Sequence, residues 1–351
     1  MKKIILATLA AAALVACAQE DVVVAPKGEA IAFDNAFVDN TTKAIDPSIT
    51  TNSLTSFVVY GTTQGDHDVN APIVRIFDEV TVTGTDVTDG EGNVTARSWS
   101  YADSYTQYWI DGNKYNFAAI KNGTVASYEN ELPETIKYTA DGKTDLLYAE
   151  AKNNIEGKNT GNGPVAFTFD HLLSKAVFTF TNTTSDEVNT NYYYKVEGIK
   201  ISGLSSKADY TVSNKTWTET EAGHVASFGN IVADGTIADS ADAVPVNEEE
   251  TLSSNYQRLL IPGTRNVTIS CTITLYYGNG NDAKVVDVIN YEKNFSLTLV
   301  KGTAYSFNLQ AGLNDPIKFT VSKVEGWNDP ATVVPNVPQP DHDNILPDTN
   351  N

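Results

Sequence analysis

The segment Val267–Leu275 reads Val-Thr-Ile-Ser-Cys-Thr-Ile-Thr-Leu, with an apolar residue and a polar one alternating at every step. Successive side chains of a β-strand point to opposite faces of the sheet, so this pattern predicts a strand with one buried face. Cys271 falls on that buried face, between Ile269 and Ile273. We expect its thiol to act as a small buried hydrophobic group.

The rest of the chain repeats this pattern in short runs. Comparable β-branched or aromatic runs are Ser56–Tyr60, Tyr115–Ile120, Ala176–Phe180 and Phe295–Leu299. Turn dipeptides such as Asp89-Gly90, Asp111-Gly112 and Asn122-Gly123 separate many of the runs, and glycine supplies the positive φ that tight hairpins need. No sustained helical period follows the N-terminal segment. The sequence therefore predicts an all-β protein built from antiparallel β-sandwiches.

The length and the linkers predict two domains. A chain of 351 residues exceeds what one hydrophobic core usually serves. A polar, glycine-rich stretch at Asn153–Pro164 ends where strand character resumes, so we expect an N-terminal sandwich over residues 27–163 and a C-terminal one over 164–329. Five prolines among asparagine and aspartate predict a flexible tail at 330–351.

The pattern of the N-terminal residues predicts an export signal. Two lysines precede an apolar run that is too short to span a bilayer, which predicts a removable signal peptide at 1–16. Leu14-Val15-Ala16-Cys17 resembles the lipobox of bacterial lipoproteins, which implies lipidation of Cys17 with palmitoyl-type chains and anchoring in an outer membrane. Residues 17–26 are then a tether. Cys17 and Cys271 are the two cysteines, so lipidation would leave Cys271 with no disulfide partner.

The charge of the chain excludes one class of partner. It has 44 acidic and 24 basic residues and a formal net charge of −20 at pH 7. Such a chain would repel nucleic acid. The acidic residues are spread along the sequence, which suits a soluble extracellular surface.

No catalytic pattern is present in the sequence. The four histidines are far apart and form no zinc motif, and there is no GxSxG elbow, P-loop or GxGxxG motif. We predict no catalytic residue, no metal and no cofactor. Two carboxylates would suffice for a glycosidase, but a solvated acidic surface explains these carboxylates more simply.

Three segments have two interpretations each. Asp86–Asn93 has the oxygen ligands and glycines of a calcium loop, or is the tip of a hairpin. Asp341–Asp343 could touch a metal, or is part of a solvated tail. The aromatic residues Trp99, Tyr101, Tyr105, Tyr108 and Trp109 could form a platform that stacks on sugars, or fill the core of a sandwich.

Several segments in order resemble the fimbrillin-like proteins of the Bacteroidales, the subunits and accessory proteins of type V pili. They are the lipobox, Asp145–Ala149, Phe167–Phe178, Lys301–Leu309, Ile317–Phe319 and Trp327. The resemblance implies two tandem transthyretin-like sandwiches, export as a lipoprotein, proteolytic removal of an N-terminal strand, and polymerisation by strand exchange. His171 and Ser174-Lys175 match a family motif of structural character, which implies packing or hydrogen bonding for His171.

The resemblance also implies positions for these steps. The removable strand is Glu29–Val38, with Ile31 and Phe33 alternating inward, and processing follows at Lys43 and Ala44. The donor strand lies in Pro316–Trp327, where Ile317, Phe319 and Val321 share one face; the alternative is an ordinary last strand of its own domain.

The sequence therefore predicts a structural or adhesive pilus subunit at the cell surface. Its partners would be other pilus subunits, the outer membrane through the lipid, and host or bacterial surface ligands. The alternative is a monomeric surface lipoprotein that binds glycans, and an enzyme has the least support.

Overall fold

The computed structural model describes residues 28–38, 53–65, 70–92, 94–151, 154–183, 192–231, 244–245, 251–278, 283–313, 316–324 and 333–334. The predicted signal peptide, the tether and Cys17 lie outside these residues, as do Lys43, Ala44 and all of the tail except Val333–Val334. No helix in the described ranges is long and apolar enough to cross a membrane.

The described chain consists of strands and one turn of 3₁₀ helix at Asp103–Tyr105. The strands of the first half are β1 (Phe33–Val38), β2 (Ser56–Gln64), β3 (Val74–Thr88), β4 (Val94–Ser100), β5 (Lys114–Lys121), β6 (Thr124–Glu129), β7 (Leu132–Thr139), β8 (Leu147–Glu150), β9 (Ile155–Glu156) and β10 (Val165–His171). Those of the second half are β11 (Ser174–Asn182), β12 (Tyr192–Thr211), β13 (Thr216–Ile231), β14 (Val244–Pro245), β15 (Thr251–Leu260), β16 (Gly263–Tyr277), β17 (Lys284–Leu299), β18 (Thr303–Ala311), β19 (Lys318–Val324) and β20 (Val333–Val334).

These strands form three sheets. The first has the order β1-β10-β8-β5-β2-β3-β4, with β9 on β5; the second is β15-β11-β18-β19-β20; the third is β17-β16-β12-β7-β6, with β13 and β14 on β12. The prediction of an all-β sandwich protein is confirmed. In β16, Val267, Ile269, Cys271 and Ile273 are buried as the alternation predicted.

Two strand pairs depart from the antiparallel prediction. β1 pairs with β10 in parallel, and β11 pairs with β18 in parallel. Both pairs join strands that are far apart in the sequence, so no tight hairpin turn makes them antiparallel. Turn dipeptides report only on strands that are close in sequence.

Strand pairing crosses the predicted domain boundary at residue 163. β10 follows this residue but pairs with β1 and β8 in the first sheet, and β7 precedes it but pairs with β12. The chain passes from the first sheet to the second between His171 and Ser174. The division of the chain into two domains stays a prediction.

Three clusters of buried side chains hold the sheets together. The first is built mainly from side chains of the first sheet and includes Phe57, Phe77, Phe117, Phe167 and Trp109. The second lies between the second and third sheets and includes Phe178, Phe228, Ile269 and Phe307. The third joins residues from both halves, such as Tyr138, Leu146, Leu172, Tyr210 and Leu259. This junction cluster packs the two halves against each other.

Candidate functional site

The first described segment, Gly28–Val38, is held by three separate parts of the chain. Glu29 N donates to Asn159 O at 2.8 Å, and Ile31 N donates to Gln107 O at 2.9 Å. The third contact is made by Val165 N, which donates to Ala32 O at 2.8 Å. It lies immediately before the point where β1 begins to pair with β10. The first half of the segment is thus hydrogen-bonded along both of its edges.

The side chains of this segment complete the first core cluster. Ile31, Phe33, Ala36 and Val38 are all buried. The Phe33 ring lies 5.3 Å from the Phe77 ring, and the rings of Tyr101, Phe117 and Phe167 lie 5.6–6.0 Å away. Burying one such side chain contributes about 1.5–3 kcal/mol, so this segment is a large part of the core that it closes.

Ile31 and Phe33 both face the core, as the sequence predicted, but their alternation does not continue through the strand. The pairing register of β1 with β10 shifts between Asp34 and Phe37, and Ala36 and Val38 are the next inward residues. An extra residue in one strand, a β-bulge, changes which side chains face inward. The alternation of apolar and polar residues in the sequence could not predict the position of this bulge.

Tyr101 adds a polar contact to this packing. Its hydroxyl donates a hydrogen bond to Ile31 O at 2.5 Å. Burial raises the pKa of Tyr101, so the hydroxyl stays protonated and continues to donate. Sequence reasoning missed this contact because the two residues are far apart in the chain.

β1 and β4 are the two ends of the first sheet. A cavity of about 310 Å³ lies between them, and Phe33, Asp34, Arg97, Trp99 and Pro164 are among its lining residues. β1 is therefore hydrogen-bonded to β10 along one edge, and Phe33 and Asp34 at its start line this cavity.

The predicted donor residues lie in or beside β19, which pairs antiparallel with β18. The Phe319 ring is buried and lies 5.2 Å from the Phe295 ring and 6.3 Å from the Phe307 ring. Ile317 and Val321 are partly buried against the same cluster. In this monomer the segment is the last long strand of its own sheet, so donation to another subunit would require it to leave that cluster.

The five aromatic residues between positions 99 and 109 do not share one surface. Trp109 is 1% exposed and packs against Tyr115 at 4.7 Å, whereas Tyr105 is 51% exposed. Trp99 packs against Phe57 at 4.9 Å. Most of this group fills or borders the core, which is the second of the two interpretations given above.

The described part of the Asp86–Asn93 segment, up to Gly92, lies at the turn end of the β3–β4 hairpin. The Asp86 carboxylate accepts a hydrogen bond from Arg97 Nε at 2.7 Å, and Asp89 Oδ1 accepts one from Glu91 N at 2.9 Å. Both carboxylates therefore make hydrogen bonds within the hairpin. Among the described residues, no group of three or more His, Cys, Asp or Glu side chains is placed to hold a metal ion.

His171 is the last residue of β10, and its Nδ1 lies 2.7 Å from Asp145 Oδ2. Both side chains are buried at the point where the chain leaves the first sheet. Leu172 N donates to Leu146 O at 3.0 Å beside them. This buried pair joins the end of β10 to the loop before β8, next to the point where the chain enters the second sheet.

An all-β fold of three sheets, whose first strand completes a hydrophobic core, defines the class of β-sandwich proteins. The sequence model of the fimbrillin-like family matches residues 42–327. The chain belongs to the fimbrillin-like family, and the resemblance predicted from the sequence is confirmed.

The fold is shared with a solved structure. A fimbrial protein from Bacteroides vulgatus ATCC 8482 is 18% identical, with 85% of this chain and 99% of that chain covered and a TM-score of 0.58. A candidate cell adhesion protein from Bacteroides ovatus ATCC 8483 is 16% identical, with 87% and 99% covered and a TM-score of 0.44. None of the curated proteins matches the chain.

Proposed function

We propose that this chain is a structural or adhesive pilus subunit, exported as a lipoprotein on Cys17 and assembled by strand exchange after proteolysis near Lys43 and Ala44. Other pilus subunits are its partners, and its place is the cell surface. Membership of the fimbrillin-like family supports the pilus role. A structural role of this kind requires no catalytic residue and no cofactor.

The observation that carries the proposal is the way in which Gly28–Val38 closes the first core cluster. A single cut between Val38 and Ser53 would separate this segment from every later strand. Its four inward side chains would then leave an apolar groove between β10 and the 107–109 segment. Such a groove is unstable in water until another strand fills it.

Loss of the segment would also free backbone groups. Gln107 O, Asn159 O and Val165 N would each lose a hydrogen-bond partner, and Tyr101 would lose Ile31 O. A buried polar group without a partner costs about 1–3 kcal/mol. A strand from a second subunit would restore both the backbone pairing and the apolar contacts, which is the physical basis of strand addition.

The donor strand that we propose is the segment with Ile317, Phe319 and Val321. It offers an Ile-x-Phe pair like the Ile31 and Phe33 pair that it would replace. Phe319 is already accommodated among three aromatic rings, and the pocket of Phe33 is lined by four. The groove therefore has the chemistry to accept this side chain.

The first experiment is to release the protein from native cells, determine its N-terminus by mass spectrometry, and run an unheated denaturing gel. We expect a start at or near Ala44 and a ladder of SDS-resistant species. A lone monomer with lipidated Cys17 and an intact 28–38 segment would contradict strand exchange for this chain.

A disulfide staple tests the role of β1 directly. Asp34 and Ala166 pair across β1 and β10, so the double variant Asp34→Cys/Ala166→Cys should hold β1 in place after cleavage. We expect the ladder to vanish under oxidising conditions and to return with reductant. The matched control, Thr85→Cys/Ser98→Cys across β3 and β4, should leave the ladder unchanged.

A second disulfide staple tests the donor strand independently of the acceptor groove. Gln310 and Lys318 pair across β18 and β19, so Gln310→Cys/Lys318→Cys would hold the last strand in its own sheet. Loss of the ladder under oxidising conditions is expected. A persistent ladder would refute the donor assignment while leaving the acceptor groove intact.

A further inference from the structure

The turn end of the β16–β17 hairpin carries four exposed apolar side chains. Tyr277, Val285, Val286 and Val288 are 45%, 56%, 52% and 51% exposed. Val285 and Val288 lie opposite Tyr276 and Thr274 on one face of the sheet. Tyr277 lies on the other face, where its ring is 5.1 Å from that of Tyr192. Single exposed apolar side chains are common on protein surfaces, but four at one hairpin end mark a contact site.

The three valines lie on the edge strand of a sheet. β17 is 16 residues long, stands at the end of the third sheet, and pairs within the described chain with β16 alone. Its outer edge therefore offers a row of backbone N–H and C=O groups, which is a template for pairing with another strand. The register shift opposite Leu275 and Tyr276 leaves Val286 with no Cα partner on β16.

The sequence of this end of β17 is self-complementary. In an antiparallel pair of Lys284–Asp287 with the same segment of a second copy, each Lys284 faces Asp287 and each Val285 faces Val286. Neither Lys284 nor Asp287 forms an ion pair with any other described residue. Opposite charges across a strand pair stabilise it, and a two-fold axis makes every such contact twice.

We propose that Lys284–Val288 of β17 is a self-association surface, through which two copies of this chain join edge to edge and continue the third sheet across a two-fold axis. This contact does not need the removal of β1. It goes beyond strand exchange, because it joins folded copies side by side.

A charge swap tests the pairing. The chain from residue 17 onward is used with Cys17→Ser, and its association is measured by sedimentation velocity over a concentration series. Lys284→Asp and Asp287→Lys each place like charges opposite each other, so each should raise the dimer dissociation constant by about tenfold or more. The double variant Lys284→Asp/Asp287→Lys should regain association, and an equimolar mixture of the two single variants should form heterodimers.

A second pair of variants tests the apolar contact. Val286→Lys should abolish the dimer, whereas Val225→Lys, at an exposed valine of β13, should leave it unchanged. Circular dichroism checks that each variant is folded. The proposal is overturned if the unsubstituted chain stays monomeric at every accessible concentration. It is equally overturned if the single charge variants associate as well as the unsubstituted chain, or if the double variant does not recover.

Discussion

His171 Nδ1 lies 2.7 Å from Asp145 Oδ2, and these side chains are only 2% and 0% exposed. His171→Ala would leave a buried carboxylate short of one partner, which should lower the free energy of unfolding by about 3–5 kcal/mol. Asp145→Ala removes one hydrogen-bond partner of the His171 ring and should cost about 1–3 kcal/mol. Urea denaturation measures both losses.

The double variant of this pair is the control. Because the penalty of His171→Ala comes largely from the carboxylate left behind, His171→Ala/Asp145→Ala should be no less stable than His171→Ala alone. Strictly additive losses would show that the two residues do not act as a pair.

Phe33 should be the strongest single contributor of the first segment. Phe33→Ala removes a ring that contacts four others, so we expect a loss of about 3–5 kcal/mol in the free energy of unfolding. Tyr105→Ala removes an exposed ring and should change it by less than about 0.5 kcal/mol. Equal effects of the two variants in denaturant titrations would contradict the role of Phe33 in closing the core.

His224 should make the protein less stable in mild acid. Burial lowers the pKa of His224, and the nearby Arg258 lowers it further, while Asp141 acts in the opposite direction. In the unfolded chain His224 binds a proton at about pH 6.5, whereas in the folded chain it does so only at lower pH. The free energy of unfolding therefore falls as the pH drops below about 6.5. Thermal unfolding between pH 7.5 and 5 should show a smaller loss for His224→Gln than for the unsubstituted chain. Identical pH profiles would contradict this assignment.

Cys271 should be unreactive in the folded protein. Burial raises the pKa of its thiol to about 12, so almost no thiolate exists near neutral pH. In a Cys17→Ser background, a thiol reagent at pH 8 should label Cys271 only after denaturation. The control Ser296→Cys places a thiol at an exposed position of the neighbouring strand and should be labelled at once. Rapid labelling of native Cys271 would show that β16 opens in the folded state.

Local pattern was sufficient for the strands and for the class of fold. Alternation predicted the inward face of β16, and the pair Ile31 and Phe33 was correctly placed in a core. The fimbrillin-like family could be predicted from the sequence because the family's motifs occur in the same order along this chain. These features depend on residues that are close in sequence, where period and turn chemistry act directly.

The partners of the strands were beyond the reach of the sequence. The parallel pairing of β1 with β10, the bulge that turns Ala36 and Val38 inward, and the junction of β7 with β12 all join distant segments. So does the pair of His171 and Asp145. Each depends on which apolar surfaces meet when the sheets close.

The sequence by itself determined that this chain forms β-strands with buried faces and belongs to the fimbrillin-like family. Only the tertiary structure decided that Gly28–Val38 closes the first core, that β19 lies in its own sheet, and that Val285, Val286 and Val288 remain exposed on an edge. The reason is physical. Side-chain periodicity sets which face of a strand is apolar, but the packing of whole sheets decides what that face meets.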